Sequence, residues 1–129
     1  MENRKINLTE AEWNVMECLW VKHPKTGREI VDCLSLEMGW SRSTTLTLLK
    51  RLEEKGAVAS ESTGTKKKFY PKITRELAAL QETEDFLKRV YKGSLGMMVS
   101  AFTKKQSLTK TEIDELYAIL GELEVNADD

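Results

Sequence analysis

Three times in its first 56 residues the chain repeats one local order: a capping residue, an apolar stripe at helical spacing, and a stop. Thr9-Glu10-Ala11-Glu12 has the form of a capping box, with a Thr oxygen for the third amide and a Glu reaching back. Leu8, just before the cap, is placed as a hydrophobic staple. Trp13, Met16, Leu19 and Trp20 follow at helical spacing and Pro24 ends any continuation, so a first helix is predicted over 10–21. Thr26-Gly27-Arg28-Glu29 repeats the box, Ile30, Val31, Leu34 and Met38 supply the stripe, and Gly39 fits the stop of a second helix over 27–38. Ser41 caps a third helix that runs to Lys55, with Leu46, Leu49 and Leu52 on its core face and Gly56 at its end.

After Gly56 the texture changes. Ala57 to Thr63 reads as a short strand, Gly64-Thr65 as a turn and Lys66 to Pro71 as the returning strand of a β-hairpin. Three helices and then a hairpin is the order of a winged helix-turn-helix, and the short connection holding Gly39 is what that motif requires. A long helix is expected next, from Thr74 to Lys92, with Leu77, Leu80, Leu87 and Tyr91 as its stripe and Gly93 as its break. Ser94 opens a short apolar helix carrying Leu95, Met98, Val99 and Phe102. Thr109-Lys110-Thr111-Glu112 is a further capping form, and Ile113, Leu116, Tyr117, Leu120 and Leu123 carry a last helix to Val125, leaving 126–129 as tail. The expected fold is mainly α with a small β-hairpin: a winged helix-turn-helix domain over 1–72, then a three-helix dimerisation domain over 73–129.

Twenty Lys and Arg against 21 Asp and Glu give a net charge of −1, which by itself argues against a polyanion partner. The distribution argues the other way. Residues 41–72 hold 8 basic and 3 acidic side chains, a balance of +5, whereas 1–40 balance at −2 and 73–129 at −4. No apolar run approaches the ~20 residues that cross a bilayer. Met1-Glu2-Asn3-Arg4-Lys5 leads into no signal-peptide core, so a cytoplasmic location is expected. Cys18, Cys33 and His23 make a poor metal-ligand set, and both cysteines read as buried reduced thiols. With no phosphate loop, clustered carboxylates or Cys/His pair, neither an enzyme nor a bound cofactor is expected.

The third helix has the side chains of a major-groove helix. Arg42, Ser43, Thr44 and Thr45 form its first turn and Thr47 follows, short donors and acceptors with one guanidinium suited to guanine. Lys50 and Arg51 are placed for phosphates further along, and Lys66, Lys67 and Lys68 beside the hairpin turn suit an adjacent groove or backbone. The C-terminal helices are too short a segment to bury much core alone. Pairing with the same segment of a second chain solves this, and a two-fold protein would set two recognition helices against a palindromic operator in double-stranded DNA. The interface candidates are Leu77, Leu80, Leu87, Met97, Met98, Phe102, Ile113, Leu116, Tyr117 and Leu120.

Several separate segments then agree with one family. They are Ala11-Glu12-Trp13-Asn14-Val15-Met16 with Leu19-Trp20, Trp40-Ser41 with Thr44, Thr47 to Leu52, Lys55-Gly56-Ala57 and Phe69-Tyr70-Pro71. Phe86-Leu87, Tyr91-Lys92-Gly93, Met98-Val99, Phe102 and Glu112 to Leu116 continue the match over about 6–125. The chain resembles the BlaI/MecI/CopY-type repressors, the penicillinase and methicillin-resistance repressors of bacteria, and sits closest to the BlaI branch. The resemblance implies a dimeric winged-helix repressor on palindromic operators built from TACA/TGTA-type half-sites. It also implies release by cleavage of an Asn-Phe bond in the dimerisation domain, triggered through a membrane sensor. The matching bond is Ala101-Phe102, with the Phe kept and the Asn replaced by Ala. The copper-sensing branch carries a cysteine-rich C-terminal motif, and this chain has no cysteine after Cys33.

Two further readings stand beside the repressor. A winged helix can bind a partner protein rather than DNA. A small-molecule-responsive regulator would need an apolar pocket, for which Trp40, Phe69, Tyr70 and Phe86 are the available aromatics.

Overall fold

Every capping box read from the sequence is a pair of made hydrogen bonds. The structure, a computed structural model, describes residues 5–105 and 108–126. The opening residues 1–4, the pair 106–107 and positions 127–129 of the expected tail lie outside the described residues. Thr9 Oγ1 accepts from the Glu12 amide at 3.1 Å and Glu12 Oε1 accepts from the Thr9 amide at 2.8 Å, opening α1 (Glu10–Val21). The same pair of bonds at Thr26 and Glu29 opens α2 (Gly27–Met38). Ser41 Oγ accepts from the Thr44 amide to open α3 (Arg42–Lys55). Gly39 ends α2 at φ +70°, a backbone region that L side chains rarely adopt, and this sharp stop sets the turn between α2 and α3.

β2 (Val58–Thr63) and β3 (Lys66–Pro71) form the expected hairpin, in register from Val58↔Pro71 to Thr63↔Lys66. A third strand was not legible in the sequence. β1 (Lys25–Thr26) pairs antiparallel with Phe69 and Lys68, so β3 is central in the order β1-β3-β2. Two residues carry no alternation to read. The strand exists because the open edge of β3 supplies its hydrogen bonds.

Val15, Met16, Leu19, Ile30, Leu34, Leu49, Leu52, Val58, Phe69 and Ile73 make one buried core under the three helices and the sheet. The buried face of α3 differs from the expected one. Thr45, Leu48, Leu49 and Leu52 are buried, and Leu46 is half-buried. The spacing i, i+3, i+4, i+7 covers the broad arc that a helix needs against two helices and a sheet, and the expected 46-49-52 line covered only part of it. Cys18 is buried as expected, while Cys33 is half-buried. Burial, and then the neighbouring Cys33 thiol, push the Cys18 thiol up to about 12.

The chain divides into two compact units, residues 1–84 and 85–129. The division falls within α4 (Arg75–Tyr91). The start of α4 is tied into the first unit: Trp20 Nε1 donates to the Ile73 carbonyl at 2.9 Å, Arg75 donates twice to Glu17, and Ala78 is buried. The second unit holds the rest of α4, α5 (Leu95–Lys105) and α6 (Lys110–Val125). Among the described residues from 85 onward, no side chain is buried.

Candidate nucleic-acid interface

α3 has two chemically distinct sides. One is sealed against the core by Leu48, Leu49 and Leu52. The other leaves Arg42, Ser43, Thr44, Thr47, Lys50 and Arg51 in solvent. The Ser41 cap organises the first turn further: Ser41 Oγ lies 3.2 Å from Ser43 Oγ and donates to Thr44 Oγ1 at 3.0 Å. These short hydroxyls are thus held in place at the end of the helix that would enter a groove.

Thr45 is a correction. It was expected among the base-reading residues, but it has no exposed surface, and its hydroxyl has no hydrogen-bond partner among the described residues. Its position on the helix, one turn before Leu48 and Leu49, turns it inward. Thr45→Val keeps the shape and removes an orphaned hydroxyl. It is expected to leave operator affinity unchanged and to stabilise the fold by up to about 1 kcal/mol, read in thermal melts. A large loss of affinity would return Thr45 to the reading face.

The wing lysines are exposed, and the pleat of β3 divides them. Lys67 shares the inner face with buried Phe69: its Nζ lies 5.3 Å over that ring and 4.0 Å from Glu53 Oε2 of α3. Lys66 and Lys68 take the other face, and Lys68 shares an outer hollow with Tyr70, His23 and Glu61. Exposed pairs such as Lys67–Glu53 contribute little and exchange readily for a phosphate. Among the described residues, Arg42, Lys50, Arg51, Lys66 and Lys68 have no carboxylate at ion-pair distance.

The end of α3 carries a contact that the sequence reading left out. Lys55 Nζ donates to Glu12 Oε1 and, at 2.7 Å, to the Asn7 carbonyl. Glu12 is 1% exposed. Burial pushes its carboxyl up, but the hydrogen bonds from Lys55 and Thr9 and the lysine charge outweigh this and hold it below the usual carboxylate range. Nothing local signals the pair, because its partners lie 43 residues apart.

The four aromatics considered for a ligand pocket are dispersed. Phe69 is core, Trp40 lines a cleft beside α3, Tyr70 lines the outer hollow, and Phe86 lines a groove in the second unit. That groove, of about 540 Å³, is walled by Tyr91, Met98, Val99, Phe102 and Leu116 as well. The interface candidates are largely open there: Met97, Phe102, Tyr117 and Leu120 are each more than half exposed, and Leu87 and Met98 are half-buried. No helix of the described residues is long and apolar enough to cross a membrane.

Comparison with known proteins places the chain in a family. Residues 8–122 match the model of the penicillinase repressor family. A penicillinase repressor of Bacillus licheniformis is 34% identical over 115 residues, 89% of this chain and 90% of that protein. The methicillin resistance regulatory protein MecI of Staphylococcus aureus (strain N315) is 29% identical over 121 residues, 94% of this chain and 98% of that one. Among solved structures, the Bacillus licheniformis BlaI monomeric form in complex with the blaP half-operator is similar with a TM-score of 0.51 and 32% identity, over 56% of this chain and 89% of the other. The chain therefore belongs to the penicillinase repressor family, a family of winged-helix transcriptional repressors and not of enzymes.

Proposed function

We propose that the protein is a cytoplasmic repressor that holds a palindromic operator as a homodimer, one half-site per winged domain. The observation that carries the reading is the solvent side of α3, where Arg42, Ser43, Thr44 and Thr47 stand ahead of Lys50 and Arg51, with Lys67 of the wing 4.0 Å from Glu53 of the same helix. Arg42, Ser43, Thr44 and Thr47 would read base edges. Lys50, Arg51, Lys66, Lys67 and Lys68 would hold phosphates. BlaI bound to a half-operator supports the same use of the fold in a relative. The winged domain is taken as 1–72 and the assembly domain as 73–129.

Arg42→Ala is expected to weaken binding by about 1–3 kcal/mol and to relax preference at one base pair. Replacing Lys66, Lys67 and Lys68 by alanine is expected to weaken operator and unrelated DNA alike, and to flatten the dependence of affinity on salt by about three counterions at most. Titrating operator and scrambled duplexes over a salt series checks both. An Arg42→Ala protein with unchanged base preference would move the reading elsewhere on α3.

Release would follow from loss of the dimer. Ala101-Phe102 lies in α5, with both residues exposed. A helical bond must open locally before a protease can take it, and α5 is exposed enough to do so. Cleavage there by a sensor-linked protease would separate α6 from the rest of the assembly segment. Recovery of intact repressor from cells whose target gene is switched on would exclude this route. A gene for a membrane-bound metalloprotease sensor beside the operator would support it, and would connect this chain to antibiotic resistance as in its named relatives.

A further inference from the structure

We propose that the cleft beside α3 seats an operator phosphate and that Trp40 contacts DNA through its indole N–H, an assignment that rests on the operator reading above. The cleft, of about 380 Å³, is lined by Ala11, Trp40, Ser43, Thr44, Thr47, Leu48 and Arg51, all of the first unit. Three indoles are present, and two have partners: Trp13 Nε1 donates to Glu17 at 3.0 Å and Trp20 Nε1 to the Ile73 carbonyl at 2.9 Å. The Trp40 N–H has no acceptor among the described residues, and it is not one of the sealed, unpaired polar atoms. A Trp ring that packs on a core ordinarily finds a partner for its N–H. This one packs against the core, yet keeps its donor open to solvent at the mouth of the recognition helix.

The rest of the lining fits an oxyanion. Arg51 brings a positive charge, and the lining includes no carboxylate. Thr44 Oγ1 accepts from Ser41, which leaves its own hydroxyl proton free to donate, and Thr47 adds a second hydroxyl. Guanidinium, indole and hydroxyl donors together make a site for a phosphodiester rather than for a base edge, which presents donors as well as acceptors. Residues 44, 47 and 51 lie at i, i+3 and i+7 along one flank of α3, so this assignment moves Thr44 and Thr47 from base edges to the phosphate and leaves Arg42 and Ser43 to the bases.

Trp40→Phe keeps an aromatic ring against the core and removes the donor together with part of the indole. It is expected to weaken operator and unrelated duplexes equally, by about tenfold, with the salt slope unchanged and the protein still folded at the binding temperature, which a thermal melt checks. Arg51→Ala is expected to lower the salt slope by about one. Methylphosphonates placed singly along each operator strand locate the contact. At one position the neutral linkage weakens the wild-type protein and leaves Trp40→Phe no weaker than before. The assignment is overturned if Trp40→Phe binds every duplex as the wild type does, or if each methylphosphonate weakens both proteins alike. Saturable binding of inorganic phosphate alone, followed by tryptophan fluorescence, would overturn it in favour of a free anion. Failure of the wild-type protein to bind any operator duplex would instead remove the reading beneath it.

Discussion

Replacing Tyr117 and Leu120 together by glutamate is expected to weaken binding to a palindromic operator by about 10²–10⁴-fold while leaving affinity for a single half-site unchanged. Both residues stand in the open in the isolated chain, at 73% and 57% exposure, so the monomer loses almost no packing. The effect arises only when a second copy covers them, because two carboxylates would then have to leave water without partners. Met97 and Phe102 of α5 and Ile119 and Leu123 of α6 are also more than half exposed, apolar side chains of the kind that a second copy would cover. In the proposed dimer, a second winged domain tethered to a bound first one would meet its half-site at a high effective concentration, and the dimer contact would supply that tether. Sedimentation should show a dimer for the wild type and a monomer for the double variant. A variant that stays dimeric would move the interface off α6. A monomer that still holds the full operator as tightly as the wild type would remove dimerisation from the mechanism.

What was legible in the sequence was what is local. A capping box is complete within four residues, so Thr9, Thr26 and Thr109 mark three helix starts without reference to anything distant. The glycine stops at Gly39, Gly56 and Gly93 all sit at positive φ for the same reason. The hairpin was legible as well, because Gly64-Thr65 separates two strands that pair in simple register. What was missed depends on neighbours. Whether Thr45 or Leu46 faces inward is decided by where α1, α2 and the sheet press on α3, a rotation of one residue that an apolar stripe does not fix. The pleat that sends Lys67 toward Glu53 and Lys68 toward Tyr70 is clear only once Phe69 is known to point into the core. In the sequence Trp40 is only one of four aromatics available to a pocket, and the absence of a partner for its N–H is what separates it from Trp13 and Trp20.

Glu12→Gln is expected to destabilise the winged domain by about 2–3 kcal/mol, less than the ~3–5 kcal/mol of breaking a fully buried ion pair, because Lys55 keeps part of its hydration. In a domain of this size that is a fall of about 10–20 °C in Tm. Gln still accepts from the Thr9 amide, so the cap survives, and what is lost is the charge that holds Lys55, the last residue of α3. The pH dependence has a definite sign. The folded carboxyl titrates below its unfolded value of about 4.3, so its contribution is fully present above that pH and is lost as pH falls through the folded value. Wild type and Glu12→Gln should therefore differ most at neutral pH and converge as pH falls through the folded value. Lys55→Met and the Glu12→Gln/Lys55→Met double variant close the cycle. If the pair is the unit, the double variant loses distinctly less than the sum of the two single changes. Strict additivity, or a stability gap that persists unchanged into acid, would show that the Glu12–Lys55 charge pair does not carry the effect and that α3 is held at its C-terminal end by packing.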